Sequence, residues 1–168
     1  VHYNGRRFDV PHLNAAFYAQ GLTPPSPFKQ VDLLSTVRKQ FKIPSKKLAY
    51  VTEWSGLPSK ISTGGFELWT GVIAGDEKAQ RKMERYNRND VSIMRPLYDR
   101  LLPWTSSPPN ANLYGASGCP RCGQADSLQS RGTRKTTVAE YDRYVCTACG
   151  GWSTGTRRIN GTSVRAEN

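Results

Sequence analysis

Asn4-Gly5-Arg6-Arg7-Phe8-Asp9, read with Tyr86-Asn87-Arg88-Asn89-Asp90 far downstream, decides how this chain is read. Each stretch ends on an aspartate, and each lies where a helix is expected. A helix is predicted from Val10 to Gln20, because Pro11 is tolerated in a first turn and Gly21 supplies a stop. Asp9 therefore stands at a helix N-terminus, where the helix dipole favours an ionised carboxylate. A plain helix cap is the competing reading. Tyr86 and Asp90 are four residues apart, so on a continuous helix they share a face. An ordinary amphipathic helix, with the tyrosine packed and the aspartate solvated, explains the same spacing.

Around these blocks the pattern is mostly helical. Short strand ends are expected at 1–3 and 28–33, and Leu13, Ala16 and Phe17 give the first helix a face to lay on a sheet. Further helices are predicted over 34–41, over 45–55 with Ser45 as cap, and over 66–74 after the break at Thr63-Gly64-Gly65. A long helical stretch starts behind Asp76 and runs towards Leu102; Pro96 either kinks it or opens a new helix. Asp32 reads as the cap of the helix that follows it. Trp54, Phe66 and Trp69 are expected in the core, and neither His2 nor His12 has a partner at metal-ligand spacing.

Residues 105–118 change to Ser, Pro, Asn and Gly, the composition of a linker. Strands are predicted beyond it over 128–137, 138–145 and 152–159. From residue 160 onward nothing apolar remains to bury, so 160–168 is expected to be a disordered tail. The organisation is thus a first domain over 1–104, a linker, a small β domain over 119–159 and the tail.

Cys119-Pro120-Arg121-Cys122-Gly123 and Cys146-Thr147-Ala148-Cys149-Gly150 repeat one C-x-x-C-G unit. Two-residue spacing lets both thiolates of a pair reach one tetrahedral Zn²⁺, and the glycine permits a tight turn with positive φ. Cys119, Cys122, Cys146 and Cys149 together fill a zinc shell, which makes the site structural and the small domain a zinc ribbon. With every cysteine in such a pair, a disulfide framework is disfavoured and a reducing, cytoplasmic compartment expected. No apolar run approaches the roughly 18–20 residues of a membrane span.

The formal net charge is +11, with 16 Lys/Arg against 9 Asp/Glu in residues 1–104 and 8 against 4 in 105–168. A polyanion is the natural partner, since Lys and Arg displace counterions from phosphates. Asn4, Arg6 and Arg7 precede Asp9 where a strand hands over to a helix, a position suited to a substrate phosphate. Arg121, Arg131, Arg134, Lys135 and Arg143 suggest a nucleic-acid clamp on the ribbon; protein docking is the other reading of that module.

The two opening blocks resemble the second and third motifs of the DEDD-type, DnaQ-like 3′–5′ exonucleases, in the tyrosine subtype. Asn4-Gly5-Arg6-Arg7-Phe8-Asp9-Val10-Pro11-His12-Leu13 followed by Tyr86-Asn87-Arg88-Asn89-Asp90-Val91 looks specifically like the YprB-type ribonuclease H-like branch. The resemblance covers about residues 1–102 and implies an α/β ribonuclease H-like fold with a five-stranded mixed sheet. It implies that Asp9 and Asp90 bind Mg²⁺ or Mn²⁺ and that Tyr86 positions the nucleophile, on a nucleic-acid substrate, in all expectation single-stranded. The family takes its first two acids from an Asp-x-Glu motif on its first strand, and Val1 lies only eight residues before Asp9. The chain therefore reads as the last part of such a domain, mostly helical in the part present. It is expected to be inactive alone and to be completed by an N-terminal segment or a protein partner. A non-catalytic nucleic-acid binder and a zinc-ribbon docking module are the alternatives.

Overall fold

A computed structural model describes residues 1–58 and 65–166. The chain divides into two units, Val1–Leu101 and Leu102–Asn168. The Thr63-Gly64 part of the break expected before the fourth helix, and the last two residues of the expected tail, lie outside the described residues.

Helices dominate the first unit: α1 (Asp9–Ala19), α2 (Leu33–Gln40), α3 (Leu48–Trp54), α4 (Phe66–Ile73), α5 (Glu77–Ser92) and α6 (Met94–Leu101). Asp32 starts α2 by accepting the Leu34 N–H at 3.0 Å, while Arg38 and Lys39 occupy its last turn, where cations suit the dipole. Asp76 caps α5 in the same way, through the Lys78 N–H at 2.8 Å. Pro96 opens a helix and does not kink one: it is the third residue of α6, in the first turn, where its missing N–H costs little. The core gathers Val31, Leu33, Val37, Val51, Leu97 and Leu101 from α2, α3, α6 and the segment before α2. Leu33, Val37, Val51 and Leu97 are fully enclosed, each stabilising the unit by about 1.5–3 kcal/mol relative to exposure.

The two strand ends meet in one parallel bridge, His2 to Asp32. The His2 N–H donates to the Val31 carbonyl at 3.0 Å and the Leu33 N–H to the His2 carbonyl at 2.9 Å. So short a parallel pair cannot grow into a ladder without further strands beside it. That has a consequence for α1. The face of Leu13, Ala16 and Phe17, expected to cover a sheet, encloses no residue: Phe17 is half-buried and Leu13 remains 54% exposed. Trp54, Phe66 and Trp69 likewise depart from the expected core placement, at 48%, 78% and 50% exposure. The helices that carry them bury little: α4 encloses Leu68 alone, and α3 encloses Val51 and Thr52.

The second unit is an antiparallel meander of β1 (Leu128–Lys135), β2 (Ala139–Cys146) and β3 (Trp152–Gly161). Together with the helices and bridge of the first unit it makes the chain α/β with a small β module. Thr136 turns β1 into β2, its N–H donating to the Ala139 carbonyl at 2.8 Å. β3 runs on through Asn160 and Gly161, paired with Glu140 and Ala139, so the tail begins later than expected. Those two residues bury little, but pairing with the start of the central strand β2 gives their backbone groups partners that water would otherwise have to supply.

Residues 105–118 carry structure of their own. A 3₁₀ turn spans Ala111–Tyr114, the Ala111 N–H donates to the Pro120 carbonyl at 2.8 Å, and the Asn112 amide makes a reciprocal pair with the Gly118 backbone. This stretch packs on the first cysteine turn.

Candidate nucleic-acid and metal sites

The turn that carries Asp9 is built by residues on both sides of the parallel bridge. Asn4 adopts the left-handed conformation with φ 69°, which asparagine tolerates better than most residues. Its carbonyl then accepts the N–H groups of Arg7 and Phe8 at 3.2 and 3.1 Å, and the Gly5 carbonyl accepts that of Val10 at 2.9 Å. Gly5 is required by space: a Cβ there would lie 2.7 Å from His2 Cγ and 3.1 Å from Asp9 Oδ2. The Asp9 carboxylate thus folds back beside Gly5 at the first turn of α1. Arg6 and Arg7 project into solvent on the preceding residues.

Asp32 holds this turn in place. Its buried carboxylate accepts from the Asn4 N–H at 2.9 Å as well as from Leu34, and its Oδ2 faces the Arg6 N–H at 3.4 Å and His2 Nδ1 at 3.7 Å. His2 Nδ1 in turn accepts the Gly5 N–H at 3.0 Å. The sequence identifies Asp32 as a cap. Its second task, positioning the Asn4–Asp9 turn, depends on a contact 28 residues away and leaves no local signal. Tyr3 anchors the same region, donating from its hydroxyl to the Lys46 carbonyl at 2.6 Å. Burial pushes its pKa up to about 12, with Asp32 adding to the rise and Arg38 opposing it.

Tyr86 and Asp90 lie one turn apart on α5, both half-buried. α1 forms no extended packing with α5 or any other described helix. The described residues therefore bring Asn4, Arg6, Arg7 and Asp9 together at one turn and Tyr86 and Asp90 on one helix face. They contain no group of three acids or histidines placed to hold a metal. Two-metal phosphodiester chemistry requires several converging carboxylates. Asp9 and Asp90 alone do not fit it.

The cysteines do fit a metal. Their four sulfurs lie within 4.8 Å of one another, with Cys119 to Cys149 at 3.9 Å and Cys122 to Cys146 at 3.8 Å. A tetrahedral ion with bonds of about 2.3 Å to sulfur separates its ligands by about 3.8 Å, whereas a disulfide needs about 2 Å. Both turns have one geometry. Gly123 and Gly150, at φ 80° and 72°, donate to the Cys119 and Cys146 carbonyls at 2.8 and 2.9 Å. The Arg121 and Cys149 N–H groups point at the Cys119 and Cys146 sulfurs at 3.4 Å each.

The donor set is poised for a cation. Burial pushes the Cys149 thiol up to about 12, aided by the other sulfurs. At Cys146 burial acts in the same sense but is overcome by Ser127 and by the Cys149 and Ala148 amides, which bring the thiol down to about 6. A divalent ion removes this competition by stabilising all four thiolates at once.

Arg121, between the first two ligands, faces inward. Nε donates to the Trp152 carbonyl at 3.0 Å, and Nη1 to the carbonyls of Leu102 at 3.0 Å and Thr105 at 2.8 Å. It belongs to the scaffold and not to the nucleic-acid clamp suggested by composition.

A family model of the RNase H superfamily matches residues 1–102. The chain belongs to the RNase H superfamily. The match spans both the Asn4–Asp9 turn and the Tyr86–Asp90 helix face and stops before the cysteines. Membership of the RNase H superfamily makes the helical unit a nuclease-like, nucleic-acid-handling domain. No curated protein and no solved structure matches the chain. No helix among the described residues is long and apolar enough to cross a membrane.

Proposed function

We propose that the helical unit belongs to a metal-dependent nucleic-acid phosphodiesterase of the 3′–5′ exonuclease type. Asp9 and Asp90 are two of its metal-binding acids, Tyr86 positions the attacking water, and Asn4, Arg6 and Arg7 contact the substrate backbone. The observation that carries the reading is the superfamily match over residues 1–102, which contains both blocks. The ordered Asn4–Asp9 turn supports it, because Gly5, His2 and Asp32 hold a carboxylate beside two exposed arginines. Tyr86 is assigned a positioning role because a phenol, with a reference pKa of about 10, is a poor base near neutrality.

Two acids are too few for a metal pair, so the 168 residues alone are expected to degrade labelled single strands little in Mn²⁺. In a longer polypeptide carrying an Asp-x-Glu strand, Asp9→Ala and Asp90→Ala should each slow cleavage by orders of magnitude and Tyr86→Phe by less. A wild-type rate for Asp9→Ala would overturn the assignment. That the described residues hold no group of three acids or histidines placed for a metal favours a second reading, a non-catalytic nucleic-acid-binding module. The cysteine centre holds one structural Zn²⁺ in this proposal, since four thiolates leave no open position for chemistry.

A further inference from the structure

The two faces of the small sheet differ in charge. The register irregularities leave extra residues on β1, at Arg131-Gly132, and on β3, at Ile159 and between Thr154 and Arg158, so β2 alternates without interruption. Tyr141, Arg143 and Val145 consequently point to one side, and Glu140, Asp142 and Tyr144 to the other. Residues directly opposite on neighbouring strands share a face. The first face therefore carries the row Arg134–Tyr141–Arg158, the pair Arg143–Thr154 and the row Gln129–Val145–Trp152. The second carries Lys135–Glu140–Asn160 and Thr133–Asp142, with Thr133 hydrogen-bonded to Glu140. Among the residues paired in register, three arginines without an acid face one way and two acids with one lysine the other; Arg131 and Arg157 fall at the irregularities.

The basic face also has stacking groups. Trp152 is half exposed, and the Arg143 guanidinium lies 5.0 Å from its ring centroid. That guanidinium is fixed from behind, its Nε and Nη2 both donating to the Arg131 carbonyl at 3.2 and 3.0 Å. Among the described residues Arg134, Arg143 and Arg158 form no ion pair, whereas Arg81, Arg88 and Arg95 of the helical unit each meet a carboxylate four residues away. A hollow of about 230 Å³ adjoins Trp152, walled by Pro108, Asn110, Pro120 and Thr154.

From this juxtaposition we infer that the Trp152–Arg143–Arg134–Arg158 face of the cysteine-centred sheet binds single-stranded nucleic acid. Unpaired bases stack on Trp152 and Tyr141, and the arginines meet phosphates. Aromatic platforms interleaved with unpaired arginines match a strand whose bases are free to stack, which a closed duplex denies them. The inference does not depend on the nuclease reading of the helical unit, because every residue in it lies within Leu102–Asn168.

The test is fluorescence anisotropy of labelled oligo-dT and oligo-U with the full, zinc-loaded chain at several salt concentrations. Trp152→Leu should weaken binding at least five-fold, following the usual value of a base–aromatic stack. Arg134→Ala with Arg158→Ala should weaken it similarly and shallow the salt slope by about 1.4, two phosphates at about 0.7 each. Lys135→Ala, on the opposite face, should change affinity less than two-fold. If Trp152→Leu loses zinc, Trp152→Phe and the arginine pair carry the test. Wild-type affinity in the basic-face variants, or an equal loss from Lys135→Ala, would overturn the inference. So would a zinc-loaded chain that binds no single strand at low salt, which would assign this face to a protein. Arg6→Ala with Arg7→Ala tests the helical unit separately: binding lost there and retained in the ribbon variants would support the nuclease-type reading and sink this one.

Discussion

Replacing Arg121 by methionine should weaken metal binding at the four-cysteine centre, although Arg121 is not one of the four cysteines. The substitution keeps much of the aliphatic stem and removes three donated hydrogen bonds, to the carbonyls of Leu102, Thr105 and Trp152 at 3.0, 2.8 and 3.0 Å. Hydrogen bonds from a charged donor contribute about 1.5–3 kcal/mol each when well buried. Arg121 is only half-buried, so solvent screening places the three together near 2–4 kcal/mol. Leu102 and Thr105 are buried, and their carbonyls would lose this partner with little access to water.

A module this small depends on its ion to fold, so lost folding energy appears as lost metal affinity. At about 1.4 kcal/mol per tenfold, 2–4 kcal/mol is a drop of about 30- to 700-fold. Competition for Zn²⁺ against a chromophoric chelator measures it directly, with Arg134→Met as the surface control expected to match wild type. Affinity for Arg121→Met within two-fold of wild type would refute the reasoning. It would mean that the guanidinium bonds contribute nothing net or that the centre is preformed without them.

Chelation should abolish hydrogen-exchange protection across the strands and at the Ala111 amide, which donates to the Pro120 carbonyl in the first cysteine turn, while Val37 and Leu97 amides keep theirs. Loss of protection at Leu97 would contradict the division of the chain at residue 101. Asp32→Ala removes the acceptor for the Asn4 and Leu34 N–H groups and should cost about 1–3 kcal/mol in denaturant unfolding; an unchanged midpoint would show the Asn4–Asp9 turn to be held without it. Alkali should destabilise the helical unit through Tyr3, whose folded pKa of about 12 exceeds its reference value of 10. The neutral phenol favours the fold, so its contribution is intact below pH 10 and disappears as the pH rises through 12, and Tyr3→Phe should flatten that part of the pH–stability profile.

What could be read from the sequence was local. The two C-x-x-C-G turns need only residues within five positions of one another, and both glycines take the expected positive φ. Asp32 and Asp76 announce helix starts by the same short-range logic. The larger failures are non-local. The Leu13 face has the apolar residues of a packed helix, but periodicity does not say whether a sheet exists to receive it. Trp54 and Trp69 are bulky and apolar yet half exposed, because the buried positions of their helices are taken by Val51 and Thr52 on α3 and by Leu68 on α4. Arg121 reads as one more surface cation until its three carbonyl partners, 16 to 31 residues away, come into view.

The same limit governs where the positive charge acts. By count the excess belongs to residues 1–104, and a polyanion would be expected to settle there. Pairing does not alter that count, but it changes what a phosphate meets. Arg81, Arg88 and Arg95 each stand beside an acid on the same helix, so the potential of that surface is broken up over distances shorter than a Debye length. On the sheet, strand pairing aligns Arg134, Arg143 and Arg158 on one side and sends Glu140 and Asp142 to the other. A modest net charge sorted by sheet geometry gives a continuous field, whereas a larger one dispersed among carboxylates does not. The exposed Arg6–Arg7 pair beside Asp9 is the counterpart in the helical unit, positioned by Asp32 as the sheet arginines are positioned by register. On this view the two units offer a strand two separate footholds: one beside the nuclease-like turn, and one that stacks its bases.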